Sequence, residues 1–181
     1  MEVTELSLSG AKLIQPKVFR DSRGFFIETY SAGSYAKVGV DIAFVQDNHS
    51  RSVRGTLRGL HYQSSPGQAK LVRVITGRIW DVIVDIRPDS ATFGKWEGVF
   101  LDAEEHLQIF VPVGFAHGFC VLSDHADVAY KVSAPYKAST ECSIRYDDPV
   151  LSVGWPIPEP IVSDRDKSAP SFSDYTSQVK S

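Results

Sequence analysis

Between Arg78 and Arg87 every second residue is apolar. Trp80, Val82, Val84 and Ile86 hold the even positions, and Asp81, Asp85 and Arg87 are among the odd ones. Side chains alternate across an extended backbone, so this period of two predicts a half-buried β-strand. Ala43–Asn48, Thr56–Gln63, Lys70–Ile75, Glu97–Leu101, Leu107–Val111, Phe119–Leu122 and Val128–Val132 continue in the same style. Ser64–Gly67 reads as a turn, and Gly77 closes the strand before it. Strands this short and evenly spaced predict an all-β sandwich or barrel.

The flanks are less regular. From Ala11 to Tyr30 the pattern is short and extended, broken by Pro16 and by the turn Arg20–Gly24. Ser31–Gly39 is the best short helix of the N-terminal half, with Ser31 as its cap and Gly39 as its stop. After Pro149 the chain is rich in proline (Pro156, Pro158, Pro160) and is expected to wrap the outside with little regular structure. The polar tail ending at Ser181 is expected to be disordered.

Length and charge narrow the class. No repeat or linker divides the 181 residues, so one domain spanning 1–181 is expected. The net charge, 19 − 22 = −3, provides no basic field of the kind a nucleic-acid binder needs. Acids at Glu2 and Glu5 stand where a signal peptide needs a basic region, and no apolar run approaches the length of a membrane helix. Cys120 and Cys142 are the only cysteines and lack C-x-x-C spacing, which reads as two reduced thiols in a cytoplasmic protein.

One strand carries more polar groups than a core accepts. Arg54–Gln63 reads Arg-Gly-Thr-Leu-Arg-Gly-Leu-His-Tyr-Gln. Leu57, Leu60 and Tyr62 can pack, but Arg58, His61 and Gln63 are costly to bury without polar partners, so the strand is expected to line a pocket. A single histidine is more often a packed core residue than a functional one. Here its company is Arg58, Gln63 and Lys70, on two strands joined by one turn; pairing of those strands would bring Lys70 to His61. Two cations around a histidine call for an anion or a carboxylate. His61 is therefore read as a general base, and Arg58 as the group that holds an anion beside it.

Tyr130 alternates with Val128 and Val132, which on spacing alone makes it an ordinary barrel-facing tyrosine. A phenol buried beside cations has its pKa lowered and can transfer a proton, so Tyr130 is a candidate acid. Asp166, in the expected loop Ser163-Asp-Arg-Asp166, is a surface carboxylate unless the C-terminal wrap brings it behind His61, where it would orient the ring.

Pro112-Val-Gly-Phe-Ala-His-Gly118 has the pattern P-x-G-x-x-H, which resembles the second motif of the cupin superfamily. That resemblance implies a cupin-like double-stranded β-helix, or jelly roll, with short peripheral helices. Metal-binding cupins pair the motif with an H-x-H, whereas His61 is followed here by Tyr62-Gln63. Two histidines fall short of the three or four ligands a stable site needs, so neither metal nor other cofactor is expected. His117, placed in a turn, is read as facing the pocket.

Eight segments between Ala11 and Pro170 resemble, in order, the dTDP-4-dehydrorhamnose 3,5-epimerase family. They are Asp21–Glu28, Phe44–Asn48, Arg58–Gln63, Gln68–Val72, Asp81–Arg87, Pro112–Phe119, Tyr130-Lys131 and Ser163–Asp166. The resemblance implies an isomerase acting on a dTDP-linked 4-keto-6-deoxy sugar, with His61 as proton acceptor, Tyr130 as proton donor, Asp166 as the partner of His61, and Lys70 near the substrate carbonyl. Arg58 and His117 resemble diphosphate or sugar contacts. Arg23, Phe26, Glu28, Gln46, Asp47 and Asn48 resemble nucleotide-holding positions, some contributed across a homodimer. Tyr136, Glu141 and Arg165 match further substrate contacts, although the family usually has lysine at Arg165. His49 and Thr56 also depart from its pattern.

A C4 ketone acidifies the hydrogens on C3 and C5, and inversion then needs a base, an opposed acid and a donor for the enolate oxygen. Histidine, with an ordinary pKa of about 6.5, suits the first role. No redox step occurs, and the chain has no G-x-G-x-x-G for a nicotinamide. The rivals are an epimerase of C3 or C5 alone, a metal cupin, and a non-catalytic nucleotide-sugar-binding jelly roll. The last would keep Arg23, Glu28 and Arg58 without needing His61, Lys70 and Tyr130 together.

Overall fold

The computed structural model describes residues 1–179. In chain order the strands are β1 (Glu2–Glu5), β2 (Lys12–Gln15), β3 (Val18–Asp21), β4 (Gly24–Ile27), β5 (Gln46–Val53), β6 (Thr56–Gln63) and β7 (Lys70–Thr76). They continue as β8 (Arg78–Asp85), β9 (Trp96–Asp102), β10 (Gln108–Val111), β11 (Phe115–Val121), β12 (His125–Val132), β13 (Glu141–Ser143) and β14 (Ile161–Val162). One sheet has the order β1-β2-β10-β7-β12-β5, and the facing sheet has the order β13-β6-β11-β8-β9, with β14 beside β6. β3 and β4 form a separate hairpin. Two facing sheets in this arrangement make the cupin-like jelly roll.

The main core lies between the sheets, where Val72, Val74, Ile109 and Val128 meet Ile79, Ile83, Leu101 and Phe115. A second apolar cluster coats the outer face of β6, β8 and β11: Leu60, Val82, Val84, Ile86 and Ala116 pack under Ile144, Leu151 and Phe172 of the C-terminal segment. This corrects the expectation for β8. The strand is buried on both faces, because its odd positions point between the sheets and its even ones are covered by the wrap. Asp81 and Asp85, on the inward face, are both 0% exposed.

Three strand limits also differ from the sequence reading; β12 begins at His125, three residues before the expected Val128. β5 starts at Gln46 and runs on to Val53, because its whole length pairs with β12, from Val132↔Gln46 to His125↔Val53. Its polar alternation on both faces hides it from a pattern search. β11 begins at Phe115, so His117 lies within a strand and not in a turn.

α1 (Ala32–Ala36) falls inside the helix expected at Ser31–Gly39, although the Ser31 side chain makes no capping bond. The C-terminal wrap is more regular than expected. α2 (Asp164–Lys167) is capped by Ser163, whose Oγ accepts from the Asp166 N–H at 3.2 Å. α3 (Phe172–Val179) packs Phe172 into the second cluster. The tail expected to be disordered is thus helical as far as Val179, and Lys180 and Ser181 lie outside the described residues. Among the described residues no helix is long and apolar enough to cross a membrane.

Candidate active site

The pocket is lined from both sheets. Cross-strand register builds it row by row. Val132 of β12 stands opposite both Lys70 of β7 and Gln46 of β5, and Tyr130 stands opposite Val72 and Asn48. On the facing sheet His61 of β6 stands opposite His117 of β11 and Ser143 of β13, and Gln63 stands opposite Glu141. Gln46, Asn48, His61, Lys70, Tyr130, Tyr136 and Glu141 line the resulting space of about 290 Å³ together with Tyr62, Gln63 and Gln68.

Lys70 reaches His61 differently from what the sequence suggested. β6 and β7 do not pair; they belong to opposite sheets, and the Lys70 ammonium crosses between them to donate to the His61 carbonyl at 3.3 Å. The close approach of β6 to β11 depends on Gly59 and Gly118. A Cβ on Gly118 would stand 2.7 Å from the Arg58 carbonyl oxygen, and Gly59 has φ +139° with its own would-be Cβ 2.5 Å from the Gly118 Cα. The β6–β11 register shifts between His117 and Phe119 at this contact.

His61 Nε2 lies 2.7 Å from Asp166 Oδ1. The Asp166 carboxylate is 3% exposed, and its second oxygen accepts from the Gly59 N–H at 3.4 Å. Burial pushes its pKa up, but the bond and charge of His61, the Gly59 N–H and the Arg165 guanidinium together hold it below the usual range. A carboxylate can only accept, so Nε2 carries a proton, and the lone pair of the neutral ring is then on Nδ1. β14 runs parallel to β6 through Ile161↔Thr56 and Val162↔Leu57, which delivers the capped turn of α2 behind His61.

Lys70 is 7% exposed. Burial lowers its pKa to about 8 against the charges of Asp81 and Glu141, so it is still mostly an ammonium at neutral pH. Tyr130 departs from expectation. Its pKa is raised, because burial outweighs the nearby Arg58 cation and Glu141 adds to the rise. The phenol therefore keeps its proton, as a donor must.

His117 is buried and does not line this pocket. Its Nε2 is 2.9 Å and 3.1 Å from the two oxygens of Asp81. Burial lowers the His117 pKa and Asp81 opposes this. Arg58 is exposed, donates to Ser52 Oγ at 3.0 Å, and pairs with no carboxylate among the described residues. It is a cation available to an anion.

Not every candidate converges here. Arg23, Phe26 and Glu28 lie on or beside the β3–β4 hairpin; Arg23 and Phe26 line a separate depression with Phe19, Arg20 and Phe25. Asp47 points to the outer face of its sheet, where Lys131 donates to it at 2.8 Å. Asp81 was missed as a site residue. As a polar residue in an amphipathic strand it reads as solvent-facing, and only the covering of the other face reverses that. Among the described residues no group of three or more His, Cys, Asp or Glu side chains could hold a metal ion.

A jelly roll whose polar pocket brings together a histidine backed by a buried aspartate, a buried lysine and a protonated tyrosine carries the groups of an acid–base enzyme. The family follows from comparison with known proteins. The profile of the dTDP-4-dehydrorhamnose 3,5-epimerase family matches residues 5–174. A dTDP-4-dehydrorhamnose 3,5-epimerase of Shigella flexneri is 47% identical over 176 residues, covering 96% of this chain and 97% of that one. One of Neisseria gonorrhoeae is 47% identical over 167 residues, and the chain spans about half (51%) of that longer relative. The crystal structure of a Legionella pneumophila 3,5-epimerase in complex with dTDP-4-keto-L-rhamnose superposes with a TM-score of 0.92 at 46% identity, covering 95% of this chain and 93% of that one. The chain belongs to the dTDP-4-dehydrorhamnose 3,5-epimerase family, a family of isomerases.

Proposed function

We propose that this chain inverts C3 and C5 of a dTDP-linked 4-keto-6-deoxyglucose to give dTDP-4-keto-L-rhamnose. The observation that carries the reading is the His61 ring, held through Nε2 by buried Asp166, in a pocket that Lys70 and Tyr130 enter from the opposite sheet. His61 Nδ1 takes the proton from the carbon next to the ketone. The electrons move onto the C4 oxygen, where the Lys70 ammonium stabilises the enolate; a preorganised donor of this kind contributes ~10²–10³ in rate. Tyr130 then returns a proton to the same carbon from the other face. His61 then releases its proton to water and the Tyr130 phenolate regains one from water, and inversion at the second carbon repeats the exchange.

Arg58 suits the diphosphate, and Gln46, Asn48 and Tyr136 suit the rest of the nucleotide sugar. Asp47, paired with Lys131, lines a second depression with Asn48, His49 and Tyr130 and would meet the nucleotide from that side. Arg23, Phe26 and Glu28 gain a role if two copies associate and each hairpin reaches the other's pocket. Phe25 and Phe26, 54% and 69% exposed, favour such a homodimer. Two free thiols, Cys120 and Cys142, fit a cytoplasmic setting.

Incubating the purified protein with the 4-keto-6-deoxy sugar nucleotide in D₂O tests this. Deuterium at both C3 and C5 is expected. Label at one carbon alone would make it a single epimerase, and no label with tight binding would leave only the binding-module reading.

A further inference from the structure

Asp148 has no part in the chemistry above and does not line the pocket, yet it is 1% exposed. Its two oxygens take different partners. Oδ1 accepts from the Val150 N–H at 2.9 Å and the Leu151 N–H at 3.0 Å, which closes its own loop. Oδ2 accepts at 2.8 Å from the N–H of Phe172, 24 residues further on and the first residue of α3. Hydrogen bonds to a buried charged acceptor are short and strong, so the carboxylate fixes the two backbones against each other.

One of those backbones is bonded to the strand of the base. Ser143 stands opposite His61, and the next residue, Ile144, exchanges both backbone hydrogen bonds with Leu60, at 3.1 and 3.0 Å. The Arg145 N–H then donates to the Pro170 carbonyl at 2.9 Å. Phe172 packs with Leu60, Ile144 and Leu151. The stretch that carries Asp166 is therefore tied to β6 at both ends, directly by β14 before it and through residues 144–148 after it. Between the ties stands α2, four residues whose only buried side chain is Asp166 itself. Apolar packing of its own does not place this turn, so its ends must.

We infer that Asp148 is a positioning residue for the reaction: by clasping the start of α3 to the segment beside β6, it sets where the Asp166 carboxylate stands behind His61. This rests on His61 being the base.

A double-variant cycle separates this from a purely structural role. Asp148→Asn keeps the volume and leaves one acceptor oxygen. The two N–H groups of Val150 and Leu151 draw that oxygen, the NH₂ is turned toward the Phe172 N–H, and the clasp opens. A misplacement of about 1 Å at a reacting group costs up to ~10² in rate, so kcat is expected to fall roughly tenfold, with calorimetric affinity for dTDP changed less than about twofold. In an Asp166→Asn background the same substitution is expected to change kcat by less than about twofold, because no carboxylate remains to be placed. In the substrate-free protein the His61 Nε2 proton, followed by NMR, is expected to exchange with solvent faster in Asp148→Asn than in the parent.

Equal fold-losses in both backgrounds, or a lower melting temperature with kcat and proton exchange unchanged, would overturn the proposal. If Asp148→Asn does not fold, Asp174→Ala loosens the same end from the surface. Asp174 is exposed and accepts from the Ser171 N–H at 2.9 Å and from Ser171 Oγ at 2.6 Å. A loss in kcat of about two- to threefold that disappears in the Asp166→Asn background is expected, and a loss that persists there would overturn the proposal as well. Failure of the unmutated protein to incorporate deuterium would overturn the reading of His61 as base, and the proton-exchange comparison would still decide whether Asp148 places Asp166.

Discussion

Replacing Asp166 by asparagine changes almost no volume and inverts one hydrogen bond. The carboxylate now accepts twice, from His61 Nε2 at 2.7 Å and from the buried Gly59 N–H at 3.4 Å. An amide of the same shape has one acceptor and one donor. Gly59 N–H can only donate, so the amide oxygen is drawn to it and the NH₂ is turned toward Nε2. Nε2 must then accept, which places the ring proton on Nδ1 and removes the lone pair from the pocket. Arg165 Nη2, 3.2 Å from Nε2, supports the same wrong tautomer. Flipping the amide to rescue the tautomer would set its NH₂ against a buried N–H, at a cost of about 1–3 kcal/mol. That penalty alone lowers the productive population by roughly five- to 150-fold. Loss of the charge that steadies the imidazolium adds to it, and in a serine-protease triad the corresponding change costs about 10⁴ in kcat. For Asp166→Asn the expected loss in kcat is therefore ~10²–10⁴, or about 3–5 kcal/mol of barrier. Initial rates of epimerisation, with calorimetric binding of dTDP and a thermal melt as controls, would measure it. A loss below tenfold, or one confined to KM, would refute the tautomer reasoning.

Other consequences are open to measurement. Because burial brings the Lys70 pKa down to about 8, kcat/KM is expected to fall as pH rises through that value and the ammonium is lost; a profile flat to pH 9.5 would remove Lys70 from the enolate. Tyr130→Phe is expected to keep solvent exchange of the substrate's acidic hydrogen while slowing inversion at least a hundredfold, and equal loss of both would contradict the separate donor. Asp85 is buried, which pushes its pKa up, but bonds from Arg87, Ser90 and Thr92 hold it down at about 2. Its folded pKa is thus below the ordinary 3.8, so it stabilises the fold above about pH 4 and the benefit is lost as pH falls through 2. Asp85→Asn should cost about 2–3 kcal/mol at pH 7 in denaturant unfolding and much less near pH 2.

The elements most legible from residue order were those with one clear period. Thr56–Gln63 is the strand expected, and Lys70 and Arg78 begin strands at the positions where the pattern begins. β5 was misplaced because Asp47, His49 and Arg51 alternate with Asn48, Ser50 and Ser52, polar against polar, so no apolar face announces the strand. α2 was taken for a loop because four residues contain no complete apolar stripe; Ser163, its cap, was the available signal. Within the site, His61, Lys70 and Tyr130 were legible as polar groups set in apolar strands. Asp81 was not, since an acid on the polar face of an amphipathic strand looks ordinary until the second face is known to be covered.

Local chemistry along the chain was enough for an all-β fold and for a polar strand that brings His61 to a pocket, because side-chain alternation and the cost of burying polar groups act residue by residue. Which groups meet was decided only by packing. Two sheets face each other, so Lys70 crosses to His61 instead of pairing beside it, and the β14–β6 contact brings Asp166 in from 105 residues away. Burial also reversed the sense of Tyr130: beside cations it was expected to lose its proton readily, yet removal from water counts for more than the Arg58 charge and keeps the phenol protonated. Desolvation and long-range contact depend on the whole folded surface, and no window of sequence contains them.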